Sequence, residues 1–235
     1  MQKNRILVLV DIDGTLISPG MAPRQSLSQA IQEDSGEVLD FEVEHFAGLT
    51  DPVIVENALT RLAYDPNRIN GKVGKIIERY LELLVENYPI SSDKVLFPGA
   101  VSFLEFLKSN PFRVGIITGN MERGARIKLS PFGLLEYFSF GVFGSDDADR
   151  NELPLIALKK VSEKFSERFE PENVVIIGDT VHDVLCAHRN GMKSVVILRR
   201  EEWCKKIESE KPELIVRGFD PLAPLHNWFI KFLEI

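Results

Sequence analysis

Ile6-Leu7-Val8-Leu9-Val10-Asp11-Ile12-Asp13-Gly14-Thr15-Leu16 decides the fold, because an unbroken apolar run stops abruptly in two carboxylates and a turn. An apolar, partly β-branched run without polar alternation is the pattern of a strand covered on both faces, as in the middle of a parallel sheet. Asp-Gly then punctuates it. Similar short runs recur at Val114–Ile117, Phe138–Phe143, Val174–Ile177, Ser194–Leu198 and Leu214–Val216. Most are separated by stretches of helical periodicity, such as Val101–Lys108 and Leu153–Phe165, the latter apolar at Leu153, Ile156, Ala157, Val161 and Phe165. Strands alternating with helices predict an α/β fold, a doubly wound parallel sheet with helices on both faces.

One interval breaks the alternation. From Ile17 to Asp93 no buried strand is evident, and Ile76, Ile77, Tyr80, Leu81, Leu84, Val85 and Tyr88 form a one-sided stripe at helical spacing, which reads as packing. The expected organisation is therefore a core of residues 1–16 and 93–235 with an inserted helical domain at 17–92. Gly20 and Pro23 mark the outgoing crossing and Pro98-Gly99 the return, which makes both hinge candidates.

Composition narrows the function. The 235 residues carry a net charge of −7 and are 44% hydrophobic, an ordinary globular balance. An acidic chain without a basic tract is a poor ligand for nucleic acid or an anionic membrane. No stretch approaches the roughly 18 apolar residues of a membrane span, and Ile6–Val10 is too short for a signal segment. Cys186 and Cys204 lack metal-ligand or redox-motif spacing, so two free thiols in a reducing, cytoplasmic compartment are expected.

In open parallel sheets ligands bind beyond the carboxyl ends of the strands. Those positions are occupied by Asp11-Ile12-Asp13-Gly14-Thr15-Leu16, by Thr118-Gly119-Asn120, and by Gly178-Asp179-Thr180-Val181-His182-Asp183. Three strand ends thus converge four carboxylates and a hydroxyl. These segments, with the basic residue after the third strand, resemble the four ordered motifs of the haloacid dehalogenase superfamily, in its phosphatase branch. The resemblance runs from Asp11 to Asp183, and the insertion lies where the helical cap lies in phosphoglycolate-phosphatase-like and phosphomutase-like members. Gly48-Leu49-Thr50-Asp51 and Pro98-Gly99 also resemble recurrent features of those members.

The chemistry of the residues agrees with that resemblance. A carboxylate nucleophile, Asp11, takes a phosphoryl group and releases it to water in two easier steps. Asp13, two residues on, protonates the leaving alcohol and then accepts a proton from the attacking water. Clustered acids facing a phosphate call for a divalent cation, and hard oxygen ligands favour Mg²⁺. The resemblance implies that Asp11, Asp179 and the backbone carbonyl of Asp13 hold it, with Asp183 as an additional or outer carboxylate. Thr118, with backbone N–H groups of the Gly119-Asn120 segment, is placed to bind phosphate oxygens. After the third strand the family's usual lysine is replaced, and Arg150 is the candidate phosphate-clamping cation.

Other residues receive plainer readings. His182 is expected to be solvated, Cys186 to be a small buried side chain, and Arg199 and Arg200 to lie at the surface. Thr50 and Asp51 either line the substrate pocket or cap a helix starting near Val53. The expected function is a Mg²⁺-dependent phosphatase of small phosphorylated metabolites, acting as a monomer or homodimer. The alternatives are a phosphomutase, which returns the phosphoryl group to another hydroxyl of its substrate, and a catalytically silent binding module.

Overall fold

The computed structural model describes residues 6–233, apart from the side chains of Arg68 and Asn70, so the first five and last two residues of the expected core lie outside the described residues. In chain order the elements are β1 (Ile6–Val10), β2 (Ile17–Ser18), α1 (Ala22–Ser35), α2 (Asp51–Arg61), α3 (Pro66–Ile90), β3 (Val95–Leu96), α4 (Ala100–Lys108), β4 (Phe112–Thr118) and α5 (Glu122–Leu129). There follow β5 (Phe140–Phe143), α6 (Leu153–Phe165), β6 (Val174–Gly178), α7 (Val181–Arg189), β7 (Lys193–Ile197), α8 (Cys204–Ser209), β8 (Leu214–Val216) and α9 (Ala223–Leu233).

Six strands form one parallel sheet in the order β5-β4-β1-β6-β7-β8. β1 is central because it is apolar at every position and buried throughout. Its side chains divide by parity: Ile6, Val8 and Val10 join one apolar cluster with Phe103, Leu107 and Phe229, whereas Leu7 and Leu9 join another with Leu153, Val161 and Ala187. Each such burial stabilises the fold by roughly 1.5–3 kcal/mol. Successive strands leave β1 in opposite directions, to β4 on one side and β6 on the other, which opens a crevice at its carboxyl end.

The inserted helices α1, α2 and α3 share a separate apolar cluster that includes Leu27, Ile31, Val55, Leu59, Ile77 and Leu84. Local signals delimit them. Pro23 stands in the first turn of α1, Gly36 closes it in the left-handed region at φ 76°, and the Asp65 side chain caps α3 by accepting from Asn67 N at 3.0 Å. The expected stripe on α3 is buried at Ile76, Ile77, Tyr80, Leu81, Leu84 and Tyr88, but Val85 is 44% exposed and belongs to the outer face. The strand-free interval also needs correction. Ile17–Ser18 pairs antiparallel with Val95–Leu96, so the two chain crossings are joined in one short ribbon. Asp93 adds a side-chain tie, accepting from Met21 N at 2.7 Å. No helix among the described residues is long and apolar enough to cross a membrane.

Candidate active site

The β1 ladder continues one residue past the strand, with Asp11 N donating to Ile177 O at 2.8 Å. The chain then turns back on itself: Gly14, at φ 79°, donates to Ile17 O at 2.8 Å, and Leu16 N donates to Ile12 O at 2.9 Å. Gly14 also makes room for a neighbour. A Cβ there would lie 2.1 Å from Asp179 Oδ2, so only glycine admits both this turn and the carboxylate from the end of β6.

Asp11, Asp179 and Asp183 are buried, and each offers an oxygen within 4.8 Å of the others. Arg150 Nη2 lies 3.3 Å from Asp11 Oδ1 and also pairs with Asp183. Arg150 is itself buried and sits on a short 3₁₀ turn that leads into α6. Burial raises Asp11 to about 7; Arg150 opposes the shift, while Asp183 and Asp13 add to it. Burial, then Asp183 and Asp11, pushes Asp179 well above the usual carboxylate range. Asp183 lies beneath the cleft with both oxygens engaged, one by Arg150 and the other by Thr180 N at 3.0 Å and Thr180 Oγ1 at 2.8 Å. It is therefore at once the third-position partner in the capping box that Thr180 opens on α7 and the support of Arg150.

Asp179 Oδ1, beside the Asp11 and Asp183 carboxylates, is buried without a hydrogen-bond partner. A buried, unpaired carboxylate oxygen is costly, and hard oxygens gathered around such an atom fit a small divalent cation. The donor set thus fits Mg²⁺.

On the other side of Asp13 lies a group the sequence reading missed. Lys128 Nζ donates to Asp13 Oδ2 and to Asn120 Oδ1, both at 2.5 Å, while Asn120 Nδ2 reaches Asp13 Oδ2 at 3.0 Å and Thr118 Oγ1 at 2.8 Å. Lys128 is only 4% exposed. A signal existed: on α5 the buried positions are Gly124, Ala125, Lys128 and Leu129, so a lysine interrupts the core-facing stripe, where an unpaired ammonium is not tolerated.

The insertion is seated on this site. Asp51 N donates to Gly119 O at 2.8 Å, and the Asp51 carboxylate accepts from Met121 N at 2.8 Å. A Cβ on Gly119 would fall 2.0 Å from Leu49 O. Burial raises Asp51 to about 6, with Lys128 opposing the shift. Thr50 departs from both expectations. It precedes α2 at the cap position, but its hydroxyl donates to Ala148 O at 2.7 Å, so it neither caps the helix nor lines the cavity that Asp51 faces.

Two other expectations are corrected. His182 is half-buried beneath the insertion, where a Cβ on Gly48 would approach its Cβ to 2.7 Å, and burial lowers its pKa. Arg199 is no free surface residue: it donates to Gly14 O at 3.1 Å and Thr15 O at 2.9 Å, with its guanidinium carbon 3.7 Å from the Phe97 ring centroid. It braces the turn that follows Asp11. Arg200 stays exposed, 3.3 Å from Glu202, and Cys186 is fully buried as expected.

The haloacid dehalogenase-like hydrolase family matches residues 8–197, which spans the strand-end residues from Asp11 to Asp183. The chain belongs to the haloacid dehalogenase-like hydrolases. Several curated relatives are named as phosphatases. IndB of Dickeya dadantii, named a probable phosphatase, is 24% identical over 96% of this chain and 95% of its own. The phosphoglycolate phosphatase of Aquifex aeolicus is 26% identical over 96% of this chain and 99% of its own. A haloacid dehalogenase-like family protein from Streptococcus pneumoniae shares the fold, with a TM-score of 0.69 at 20% identity over 96% of this chain and 99% of that one. This haloacid dehalogenase-like hydrolase is thus phosphatase-like, with a six-stranded core and an inserted helical segment.

Proposed function

We propose that this protein is a Mg²⁺-dependent phosphatase of small phosphate monoesters that works through an aspartyl-phosphate. The observation that carries the reading is the juxtaposition at the end of β1: Asp11 beside Arg150, Asp179 and Asp183, with Asp13 held on its other side by Lys128 and Asn120. An Asp11 oxygen attacks phosphorus as the bond to the leaving alcohol breaks. The alcohol oxygen takes its proton from Asp13. Asp13 then accepts a proton from the water that attacks the aspartyl-phosphate, so that inorganic phosphate leaves and Asp11 is restored.

Because Lys128 and Asn120 occupy Oδ2 of Asp13, the unpartnered Oδ1 is the oxygen available to carry that proton. Thr118 and the backbone N–H groups of the Gly119-Asn120 segment orient the phosphoryl oxygens. Arg150 offsets negative charge at Asp11. Asp11, Asp179 and the carbonyl of Asp13, with Asp183 behind them, would hold Mg²⁺, which when bound would supply the charge neutralisation that lets a carboxylate meet a phosphate dianion. Residues 17–92 act as a cap that excludes water during transfer and selects the leaving group, hinged at the ribbon of β2 and β3. Two free thiols accord with a cytoplasmic setting.

The test is phosphate release from a panel of phosphomonoesters with Mg²⁺ or with chelator, using Asp11→Asn as the blank. Metal-dependent release that vanishes in Asp11→Asn is the expected result. Equal release by Asp11→Asn would sink the nucleophile assignment.

A further inference from the structure

A cavity of about 880 Å³ lies between cap and core, and its lining includes Asp11, Asp13, Thr118 and Asp179. At the ~30 Å³ that each water takes up in the liquid, it has room for roughly thirty solvent-sized groups, whereas a two-carbon acid phosphate, with roughly nine non-hydrogen atoms, fills under a third of it. The cap side of this space is largely apolar. Leu27 comes from α1, Phe46 and Leu49 from the segment before α2, and Ile54 from α2 itself.

The buried charges of the lining already face partners, and the exposed ones are only loosely paired. Among the described residues, the helical insertion adds only one cation to the lining, Arg24, which pairs at 3.8 Å with the 97% exposed side chain of Asp40. Its other charged lining residue is the acid Asp51. On the core side Arg150 faces Asp11 and Asp183, Lys128 faces Asp13, Arg199 is held by the carbonyls of Gly14 and Thr15, and Arg200 faces Glu202. A second carboxylate on the leaving group, set against Phe46, Leu49 and Ile54, would find no cation among these side chains to compensate the loss of its hydration. A neutral ring there would exchange water for Phe46, Leu49 and Ile54.

We infer that the preferred substrate is a phosphate monoester whose alcohol carries a neutral, ring-sized body rather than a second carboxylate. This rests on the phosphatase reading, and it separates the chain from the small-acid substrate in the name of its phosphoglycolate phosphatase relatives. Both an aryl-methyl group and a nucleoside have this chemistry, so the panel contains benzyl phosphate and uridine 5′-monophosphate beside phosphoglycolate.

The experiment compares kcat/KM for the three esters at saturating Mg²⁺ in the wild-type protein, in Phe46→Ala and in Phe46→Arg, with circular dichroism to confirm that each variant is folded. At least one ring-bearing ester is expected to exceed phosphoglycolate by tenfold or more, the order that burying a ring supplies. Phe46→Ala should lower that ratio several-fold, and Phe46→Arg, which adds a cation to the cap side, should lower it further by improving phosphoglycolate. Phosphoglycolate as the best ester, or a ratio unmoved in both folded variants, overturns the inference and leaves the phosphatase reading standing. No metal-dependent release from any ester overturns both.

Discussion

Lys128, in the last turn of α5, donates to Asp13 Oδ2 at 2.5 Å across 115 residues of chain. The same ammonium donates to Asn120 Oδ1 at 2.5 Å, so one buried cation fixes both the carboxylate after β1 and the amide after β4. The contact joins two strand ends that the sheet brings side by side.

Replacing it should therefore cost activity more than fold. Lys128→Met leaves Asp13 and Asn120 without their shared donor, and kcat is expected to fall about 100-fold, the low end of what a positioned acid–base group contributes. Stability should drop by about 1–3 kcal/mol, because a hydrogen-bonded charge loses its partner. Lys128→Arg should not restore kcat, since a planar fork does not reproduce a compact ammonium in a closed space. Steady-state kinetics and urea unfolding read the two effects separately; an unchanged kcat in folded Lys128→Met would remove Lys128 from the site.

Gly14 is predicted to tolerate no side chain. Gly14→Ala combines a left-handed φ of 79° with a Cβ 2.1 Å from Asp179 Oδ2. The backbone alone costs about 1–2 kcal/mol, and displacement of Asp179 should abolish phosphate release. An active, equally stable Gly14→Ala protein would contradict the packing of this turn.

The pH dependence of the metal-free protein has a definite sign. Asp11 is raised to about 7 and Asp51 to about 6 by burial, whereas carboxylates of the unfolded chain titrate near 3.9. The folded state therefore binds these protons more tightly. The stability they contribute is fully present below about pH 4 and is lost as the pH rises through about 6 and then 7. In chelator, Asp51→Asn should flatten the decline in urea resistance between pH 4 and 6 relative to wild type. A steeper decline in Asp51→Asn would show the sign to be wrong.

Mg²⁺ should act in the opposite direction on Asp11 and Asp179, because a bound cation favours their ionised forms. At a concentration about 100-fold above its dissociation constant, a ligand specific for the folded state stabilises it by about 2.7 kcal/mol. Thermal melts with and without Mg²⁺ are thus expected to separate clearly for wild type and to coincide for Asp179→Asn. Equal Mg²⁺ stabilisation of both proteins would place the cation elsewhere.

Local patterns carried much of this protein. The continuous apolar run Ile6–Val10 identified the central strand, and the helical stripe on α3 identified an insertion, because both depend on the period of side chains along a single element. Asp11, Asp13, Thr118, Asp179 and Asp183 were legible for a related reason: in a parallel sheet the positions after the strands converge at one edge. Arg150 was legible as a buried-site cation from its place after β5, and the structure pairs it with Asp11 and Asp183.

Chain order alone did not reveal which distant groups would face one another. Lys128 meets Asp13 only because the sheet sets α5 against the end of β1. Thr50 became a tie to Ala148, and Arg199 a brace on the Gly14 turn, because the insertion meets the loop after β5 while the loop after β7 meets the turn after β1. The amino-acid sequence by itself determined the elements and the acids at their ends, since periodicity and strand-end placement are local properties of the chain. Only the tertiary structure decided how each charge is paired and how deeply it is buried, because both depend on groups up to 185 residues apart meeting where water is excluded.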